Sequence, residues 1–406
     1  MCIRDRNRRR AEKKMEQHGL DALVATSPAN VLYASDLCSR NCFVLLPYER
    51  GVEPALIASI SGPTPVVLMS PPHIRDVRYY GEFYTVVPKV KGGFTNAERE
   101  LIKAQESWDR TKIADPIEIL INLLEERGIT KGRIGLDESA LPYQHPSWQE
   151  IRRRLPKLEV VPAERILREI RMVKSEEEIR RIKEAVRITE KAWQTALEEA
   201  RTGITERAFA GIYEHTIISE GGRLTSWMGM YGSPIAFGRR TAFVDIALPS
   251  DYKLKKGDIL RLDGGCSYMG YSCDMGRSAV LGQPGEKTLK YWNAIFEGEK
   301  LAIGMAEPGA EASVIFNSVV EKVRKSGIPE YKRHHTGHGW GIEHYDPPLI
   351  GPNDHTQLEE GMVLCFETPY YEVGWGGLLH EDIVVITESK PRYLTKFEGE
   401  LRIMKE

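Results

Sequence analysis

The 406 residues carry 41% hydrophobic and 28% charged side chains with a formal net charge of -2, the profile of a globular chain long enough for two cores rather than one. So balanced a charge offers no field to draw in a phosphate backbone or an anionic lipid surface, so neither nucleic acid nor membrane is expected as a partner and a small substrate is. Six cysteines at positions 2, 38, 42, 266, 273 and 365 lack the close repeated spacing of a zinc ribbon or disulfide scaffold, which points to a reducing, cytoplasmic setting. No apolar run is long enough to span a bilayer, and no apolar stretch follows the N-terminal charges as in a signal peptide.

Residues 1–10, MCIRDRNRRR, form a charge run expected to fray in solvent, and the string MCIRDR resembles translated adapter sequence, so it carries no weight in the fold. From Leu20, LDALVATSPANVLYAS reads as a buried strand followed by a polar turn, and FVLLP, ALIA and PVVLMS read as further strands. PIEILINLLEERG opens on Pro116 and closes on Gly128 around apolar residues at helical spacing, and RIGLDE after it is a short strand. This alternation makes residues 1–165 an α/β domain. Residues 166–200 form a long amphipathic helical region in which Ser175 and Glu178 make a capping-box signature, and the domain boundary is placed just before it. Beyond it, strands paired in hairpins, with helices at 286–304 and 312–326, give residues 166–406 an α+β pattern. No Walker or dinucleotide-type glycine loop occurs, so no nucleotide cofactor is implied.

Residues 257–281, GDILRLDGGCSYMGYSCDMGRSAVL, read as a β-hairpin. A turn on Tyr268 and Met269 sets Asp263 directly opposite Asp274, whereas a turn on Met269 and Gly270 makes them diagonal neighbours about 7–8 Å apart or less. Either register brings together two carboxylates that need a cation or a proton between them. The segment RHHTGHGWGIEHYDPP packs four of the ten histidines into eleven residues. His338, between two glycines that let the backbone approach a ligand, is the metal-ligand candidate, and His334 and His335 are candidates for substrate contact. In GMVLCFETPYYEVGWGGLLHEDIVVIT, Glu367 ends one strand-like run and Glu381 begins another that looks central, where a glutamate needs a partner. Asp263, Asp274, His338, Glu367 and Glu381 together make an oxygen-rich set. It suits two divalent ions, Mn²⁺, Fe²⁺ or Co²⁺ at least as well as Zn²⁺. Cys266, Cys273 and Cys365 read first as core residues, as do Trp340, Tyr370, Tyr371 and Trp375, although those rings could also hold an apolar substrate group.

The segments LDGGCSYMGYSCDMGRS, GHGWGIEHYDPP, CFETPYY and LLHEDIVVIT, in that order, resemble the metal-ligand blocks of the pita-bread fold family of Xaa-Pro dipeptidase (prolidase), aminopeptidase P, methionine aminopeptidase and creatinase. IRMVKSEEEIRRIKEAV resembles the link between a creatinase-type N-terminal domain and the catalytic domain. The resemblance implies a pita-bread α+β catalytic domain preceded by a smaller α/β creatinase-type domain. It implies that Asp263 and Asp274 hold one metal, that Asp274 and Glu381 bridge to the second, and that His338 and Glu367 complete the second site. Glu367 would double as general base, Mn²⁺ is the favoured metal, and the family habit is a homodimer. The implied activity is hydrolysis of Xaa-Pro dipeptides or of N-terminal Xaa-Pro bonds.

Three positions depart from the peptidase pattern. A histidine ahead of the first aspartate block is replaced in the stretch holding Asp245 and Ile246, and the histidine seven residues after the metal histidine is Tyr345. His344, one residue earlier, is the substitute candidate with Tyr345 as catalytic donors, although on a regular strand a one-residue shift would turn it to the other face. Leu379 stands where the peptidases have arginine two residues before the last glutamate. These departures keep creatinase-like, ectoine-hydrolase-like and dimethylsulfoniopropionate-lyase-like chemistry as alternatives, while Gly265, where the lyases add an aspartate, argues against the last. A catalytically inactive binding protein on the same fold is the remaining class, opposed by retention of all five ligand types.

Overall fold

The computed structural model describes residues 6–37, 41–60, 74–111, 113–137, 146–227, 230–231, 233–243, 248–396 and 399–405; the expected strand PVVLMS, Asp245, Ile246, Cys2 and Cys38 lie outside these. The chain divides into two compact units, Met1–Arg171 and Met172–Glu406.

The first unit begins with α1 (Arg6–His18), so the fraying expected of residues 1–10 does not extend to 6–10. Arg8 pairs with Glu12 one turn on at 2.9 Å and donates to the Pro47 carbonyl at 2.6 Å, while Ala11 and Met15 bury the apolar side. β1 (Ala22–Ala25) follows, and the polar turn expected after it is instead a helix, α2 (Pro28–Ser35). Ser27 caps it by accepting from the Asn30 amide, and Pro28 sits in the first turn, where its missing N–H costs nothing. β2 (Cys42–Pro47), β3 (Ala55–Ser59), β4 (Asp76–Tyr80), β5 (Lys131–Leu136) and β6 (Lys157–Pro162) complete a six-stranded mixed sheet of order β4-β3-β2-β1-β5-β6. α3 (Asn96–Thr111), α4 (Pro116–Glu126), α5 (Pro146–Arg154) and α6 (Glu164–Arg171) are its remaining helices among the described residues.

Asp137 ties this sheet to α2. It is fully buried and accepts from the Ser27 amide at 2.9 Å and from Asn30 Nδ2 at 2.7 Å. Burial alone would raise its pKa, but the hydrogen bonds from Glu164, Ser27 and Asn30 outweigh it and hold the carboxyl well below the usual range. A depressed folded-state pKa adds stability that is present above the unfolded value, about 3.9, and is lost as pH falls through the folded one. Asp137→Ala is therefore expected to cost about 2–4 kcal/mol at neutral pH, because buried donors lose their acceptor. Urea unfolding of both proteins should show that gap narrowing below about pH 4; a gap that widens there would contradict the assignment.

The helical region expected over 166–200 is split. α6 ends at Arg171, and α7 (Glu176–Glu198) starts after an extended link in which Val173 bridges to Met362. Ser175 and Glu178 form the reciprocal cap at the new start, with Glu178 Oε2 accepting from the Ser175 amide at 2.7 Å. A further helix, α8 (Glu206–Ser219), was not expected; its buried Phe209, Tyr213 and Ile217 recur every fourth residue, too short a stripe to stand out beside its polar neighbours. α9 (Glu286–Met305) and α10 (Ala312–Ser326) stand where the sequence placed them.

These helices cover a nine-stranded sheet whose main path is β7 (Ile235–Phe237), β8 (Ile259–Asp263), β9 (Gly276–Leu281), β13 (Glu381–Val385), β12 (Val363–Glu367), β10 (Gly337–Gly339) and β11 (Asp346–Leu349). β9 and β13 pair at one position, Gly276 opposite Glu381, after which each takes another partner, Arg402–Met404 beside β9 and Arg392–Tyr393 beside β13. Along β12, Val363 and Cys365 join the core under α7 and α8, and Leu364 and Phe366 join the core under α9 and α10. A strand with apolar packing on both faces has few places for a charge, which makes the glutamates at the ends of β12 and β13 conspicuous.

Candidate metal centre

The hairpin over residues 257–281 turns on Met269 and Gly270, pairing Tyr268 with Tyr271 and Asp263 with Gly276. Of the two registers the sequence allowed, the one with its turn on Tyr268 and Met269 is therefore not formed, and Asp274 lies diagonal to Asp263 rather than opposite it. Both turn residues have positive φ, 49° and 82°, and a two-residue hairpin of this hand prefers glycine at the second, which selects Gly270.

One row of partners then runs across four strands: Asp263 opposite Gly276, Gly276 opposite Glu381, Glu381 opposite Glu367. Directly opposed side chains share a face, so three carboxylates converge with a single glycine among them. Nothing larger fits at that glycine, because a Cβ on Gly276 would lie 2.3 Å from Leu379 Cγ and 2.8 Å from Glu381 Cβ. On the next strand His338 stands opposite Cys365, two residues from Glu367. Asp263, Asp274, His338, Glu367 and Glu381 all line one pocket, and His334, His335, His344 and Tyr345 line it with them.

Asp274, His338 and Glu381 present ligand atoms that all lie within 4.8 Å of one another. Glu381 Oε1 is buried with no hydrogen-bond partner. Burial, followed by the charges of Asp274, Glu367 and Asp263, drives the Glu381 carboxyl far above its ordinary range. Burial also pushes His338 down to about 4, leaving a neutral imidazole at neutral pH, with Nε2 3.9 Å from Glu381 Oε1 and Nδ1 3.3 Å from the Gly339 carbonyl. A neutral ring with one nitrogen anchored and the other aimed at clustered carboxylates is what a divalent cation requires, so these residues fit one.

The catalytic candidates surround this cluster. Glu367 is 3.3 Å from Arg333 Nη2, and His335 Nδ1 approaches it at 3.1 Å without the angle of a hydrogen bond. His344 and Tyr345 both reach the pocket because they sit in a turn, Tyr345 at φ 57°, where the two-residue alternation of a strand does not apply. The Tyr345 ring lies 4.3 Å from that of His338, centroid to centroid. Of the aromatic candidates, Tyr371 lines the pocket, Trp340 is buried and donates to the Ser272 carbonyl, and Tyr370 and Trp375 pack on Tyr291.

Two features went unread in the sequence. Arg333 lines the pocket, but a lone arginine ahead of the histidines has no spacing signal. Arg277, next to the row's glycine, donates to the Glu381 carbonyl and to Asp382 Oδ1, each at 2.6 Å, and so clamps the only pair that joins β9 to β13.

Comparison with known proteins agrees with this geometry. The profile of metallopeptidase family M24 matches residues 180–388, and that of the creatinase/prolidase N-terminal domain matches residues 77–173. An Xaa-Pro dipeptidase of Pyrococcus horikoshii is 33% identical over 264 residues, covering 65% of this chain and 73% of the relative. An uncharacterized peptidase of Bacillus subtilis is 29% identical over 289 residues, 71% of this chain and 79% of its own. Among solved structures, a prolidase from P. horikoshii superposes with a TM-score of 0.73 at 26% identity over 97% of this chain and 99% of its own. An X-Pro aminopeptidase from Thermotoga maritima shares the fold, with a TM-score of 0.75 at 24% identity over 96% and 99%. A pita-bread catalytic domain behind a creatinase-type N-terminal domain, with ligand-competent carboxylates and imidazole on its central strands, places the chain in metallopeptidase family M24 as a metal-dependent hydrolase.

Proposed function

We propose that the chain is a dinuclear-metal peptidase that cleaves Xaa-Pro dipeptides or N-terminal Xaa-Pro bonds, as the names of its Pyrococcus relatives suggest. The observation that carries the reading is the convergence of Asp274, His338 and Glu381, with Glu381 Oε1 unpartnered and Glu367 directly opposite. In this reading Asp263, Asp274, His338, Glu367 and Glu381 would together hold the two ions, with Asp274 and Glu381 the residues placed to serve both. Four carboxylates to one imidazole favour Mn²⁺ over softer choices. Residues 1–165 form the creatinase-type domain and 166–406 the catalytic domain, a division supported by the break between compact units after Arg171. A homodimer is supported by the exposed apolar run Phe83, Tyr84, Val86 and Val87, and a reducing cytoplasm by four buried free cysteines.

Bound divalent ions would acidify a shared water and polarise the scissile carbonyl. Glu367 takes the proton of the attacking water and returns it to the leaving nitrogen, the double duty of a general base that becomes a general acid. Tyr345 and His344, brought to the same wall by their turn, donate to the developing oxyanion. His334 and His335 border the substrate.

The test is metal content by mass spectrometry, paired with hydrolysis of a small Xaa-Pro panel before and after Mn²⁺ addition. Close to two ions per chain with Xaa-Pro cleavage is the expected result. Metal without cleavage would move the substrate to the creatinase-like, ectoine-hydrolase-like or lyase-like alternatives, and failure to bind Mn²⁺ would remove the metal reading altogether.

A further inference from the structure

Two buried thiols face each other across the hairpin that carries the aspartates. The register that pairs Ser267 with Ser272 and Asp263 with Gly276 also sets Cys266 opposite Cys273, whose amide donates to the Cys266 carbonyl at 3.0 Å. Directly opposed side chains share a face. One hydroxyl touches both sulfurs: Thr189 Oγ1, on α7, lies 3.4 Å from Cys266 Sγ and 3.0 Å from Cys273 Sγ. Cys266 is enclosed in the core, whereas Cys273 also lines the metal pocket, one residue before Asp274. Gly265 leaves the sulfur its room, since a Cβ there would stand 2.4 Å from Cys273 Sγ. In the proposed hydrolysis neither thiol has a part.

We propose that Cys266 and Cys273 form an oxidation site for hydrogen peroxide, and that the disulfide they make loosens the metal centre; its effect on the metal rests on the ligand set proposed above. Peroxide reaches Cys273 through the pocket. The Cys273 sulfur attacks one peroxide oxygen, the O–O bond breaks, and the thiol proton leaves with the other oxygen as water, so that a sulfenic acid remains. The Cys266 sulfur then displaces that hydroxyl, which takes the second thiol proton and leaves as a second water. Two thiols lose two electrons and the peroxide gains them. Opposed residues of this hydrogen-bonded kind have Cα atoms about 5.5 Å apart, inside the span of a disulfide, but Cβ atoms also about 5.5 Å apart, where a disulfide holds them at about 3.5–4.5 Å. Closing that gap of about 1 Å draws Cys273 toward Cys266 and carries its neighbour Asp274 with it. Disturbing the groups that orient metal ligands costs about 10- to 100-fold in metal affinity. The coupling is reciprocal, so ions that fix Asp274 oppose the bond.

The test treats metal-free and Mn²⁺-loaded protein with hydrogen peroxide, alkylates the remaining thiols and maps the tryptic peptide over residues 262–277, which holds both cysteines. Mn²⁺ affinity by calorimetry and Xaa-Pro turnover are measured before oxidation, after it and after dithiothreitol. That peptide is expected to lose two hydrogens and escape alkylation, faster in the metal-free protein, while Mn²⁺ binds about 10- to 100-fold more weakly until dithiothreitol restores it. Cys266→Ala is expected to bind Mn²⁺ like the unaltered protein and to resist the reversible loss. Two thiols that stay open to alkylation, a bond from Cys273 to Cys365 instead, or a Cys266–Cys273 bond that leaves Mn²⁺ affinity unchanged would each overturn the proposal, and all three are read on the unaltered protein. A bond that forms in a protein with no Mn²⁺ binding and no Xaa-Pro cleavage would keep the dithiol and sink the metal reading on which its effect rests, whereas Mn²⁺-dependent cleavage untouched by peroxide would do the reverse.

Discussion

Glu381→Gln is expected to lower kcat/KM by about 10³-fold or more, and at the same time to raise the melting temperature of the metal-free protein. Glutamine keeps the shape of the side chain and removes its charge. In the metal-loaded state that charge is the shared ligand of the proposed site, so its loss takes both ions and turnover with it. In the metal-free state it is a liability, since Glu381 is buried beside Asp274, Glu367 and Asp263 with one oxygen unpartnered. The pH dependence follows from the sign. A carboxyl whose folded pKa is raised binds more protons folded than unfolded, so the metal-free protein loses stability as pH climbs above the unfolded value of about 4.3. The variant should lack that slope, with a gain of about 2–4 °C for each kcal/mol of repulsion relieved. Melting of chelator-treated protein from pH 5 to 8, together with metal content and turnover, checks all three. A variant that keeps both ions, or that melts lower without them, would refute the placement of Glu381.

Arg277→Met should destabilise the catalytic unit by about 3–5 kcal/mol, the usual cost of leaving one partner of a buried ion pair alone. Arg277 and Asp382 are 4% and 0% exposed and 2.6 Å apart. Burial works against the Asp382 charge, and the guanidinium, helped by His380, holds the carboxyl below its ordinary range. His380 is in turn hydrogen-bonded to buried Glu299, so the loss would be felt along a chain of charges behind the site. Removing both members of a pair is often close to neutral, and Arg277→Met with Asp382→Leu should recover most of the lost stability. It should not recover activity, because Arg277 also donates to the Glu381 and Gly276 carbonyls at the single pair that joins β9 to β13. Urea midpoints of the three proteins decide the first point and turnover the second. A single variant within 1 kcal/mol of the parent, or a double variant with full turnover, would show that the clamp does neither job.

Much of this site could be read from the chain alone, because its chemistry lies in residue types that are costly in the places where they fall. A glutamate at the end of VLCFE or the start of EDIVV needs a partner wherever those strands go, and two aspartates in one hairpin are brought together by either register. The reciprocal cap of α7 is local, written in Ser175 and Glu178, and the extents of α9 and α10 follow from their apolar spacing. Local signals failed where two elements compete over a few residues. Pro28 after Ser27 starts a helix rather than closing a turn, the link at 172–175 breaks an amphipathic run because Val173 pairs with Met362, and α8 has too brief a stripe to announce itself.

The sequence by itself determined the candidate donor set, its order and the two fold classes, since these rest on residue identity and short-range periodicity. Only the tertiary structure decided how the donors meet: the Met269 and Gly270 turn that makes the aspartates diagonal, the row from Asp263 through Gly276 and Glu381 to Glu367, and the turn that aims His344 and Tyr345 at one pocket. It alone placed Arg333 beside Glu367 and Arg277 beneath Glu381, 34 and 104 residues apart along the chain. Contacts at that separation depend on strand order and register, which come from cooperative packing of the whole unit and from no short stretch of it.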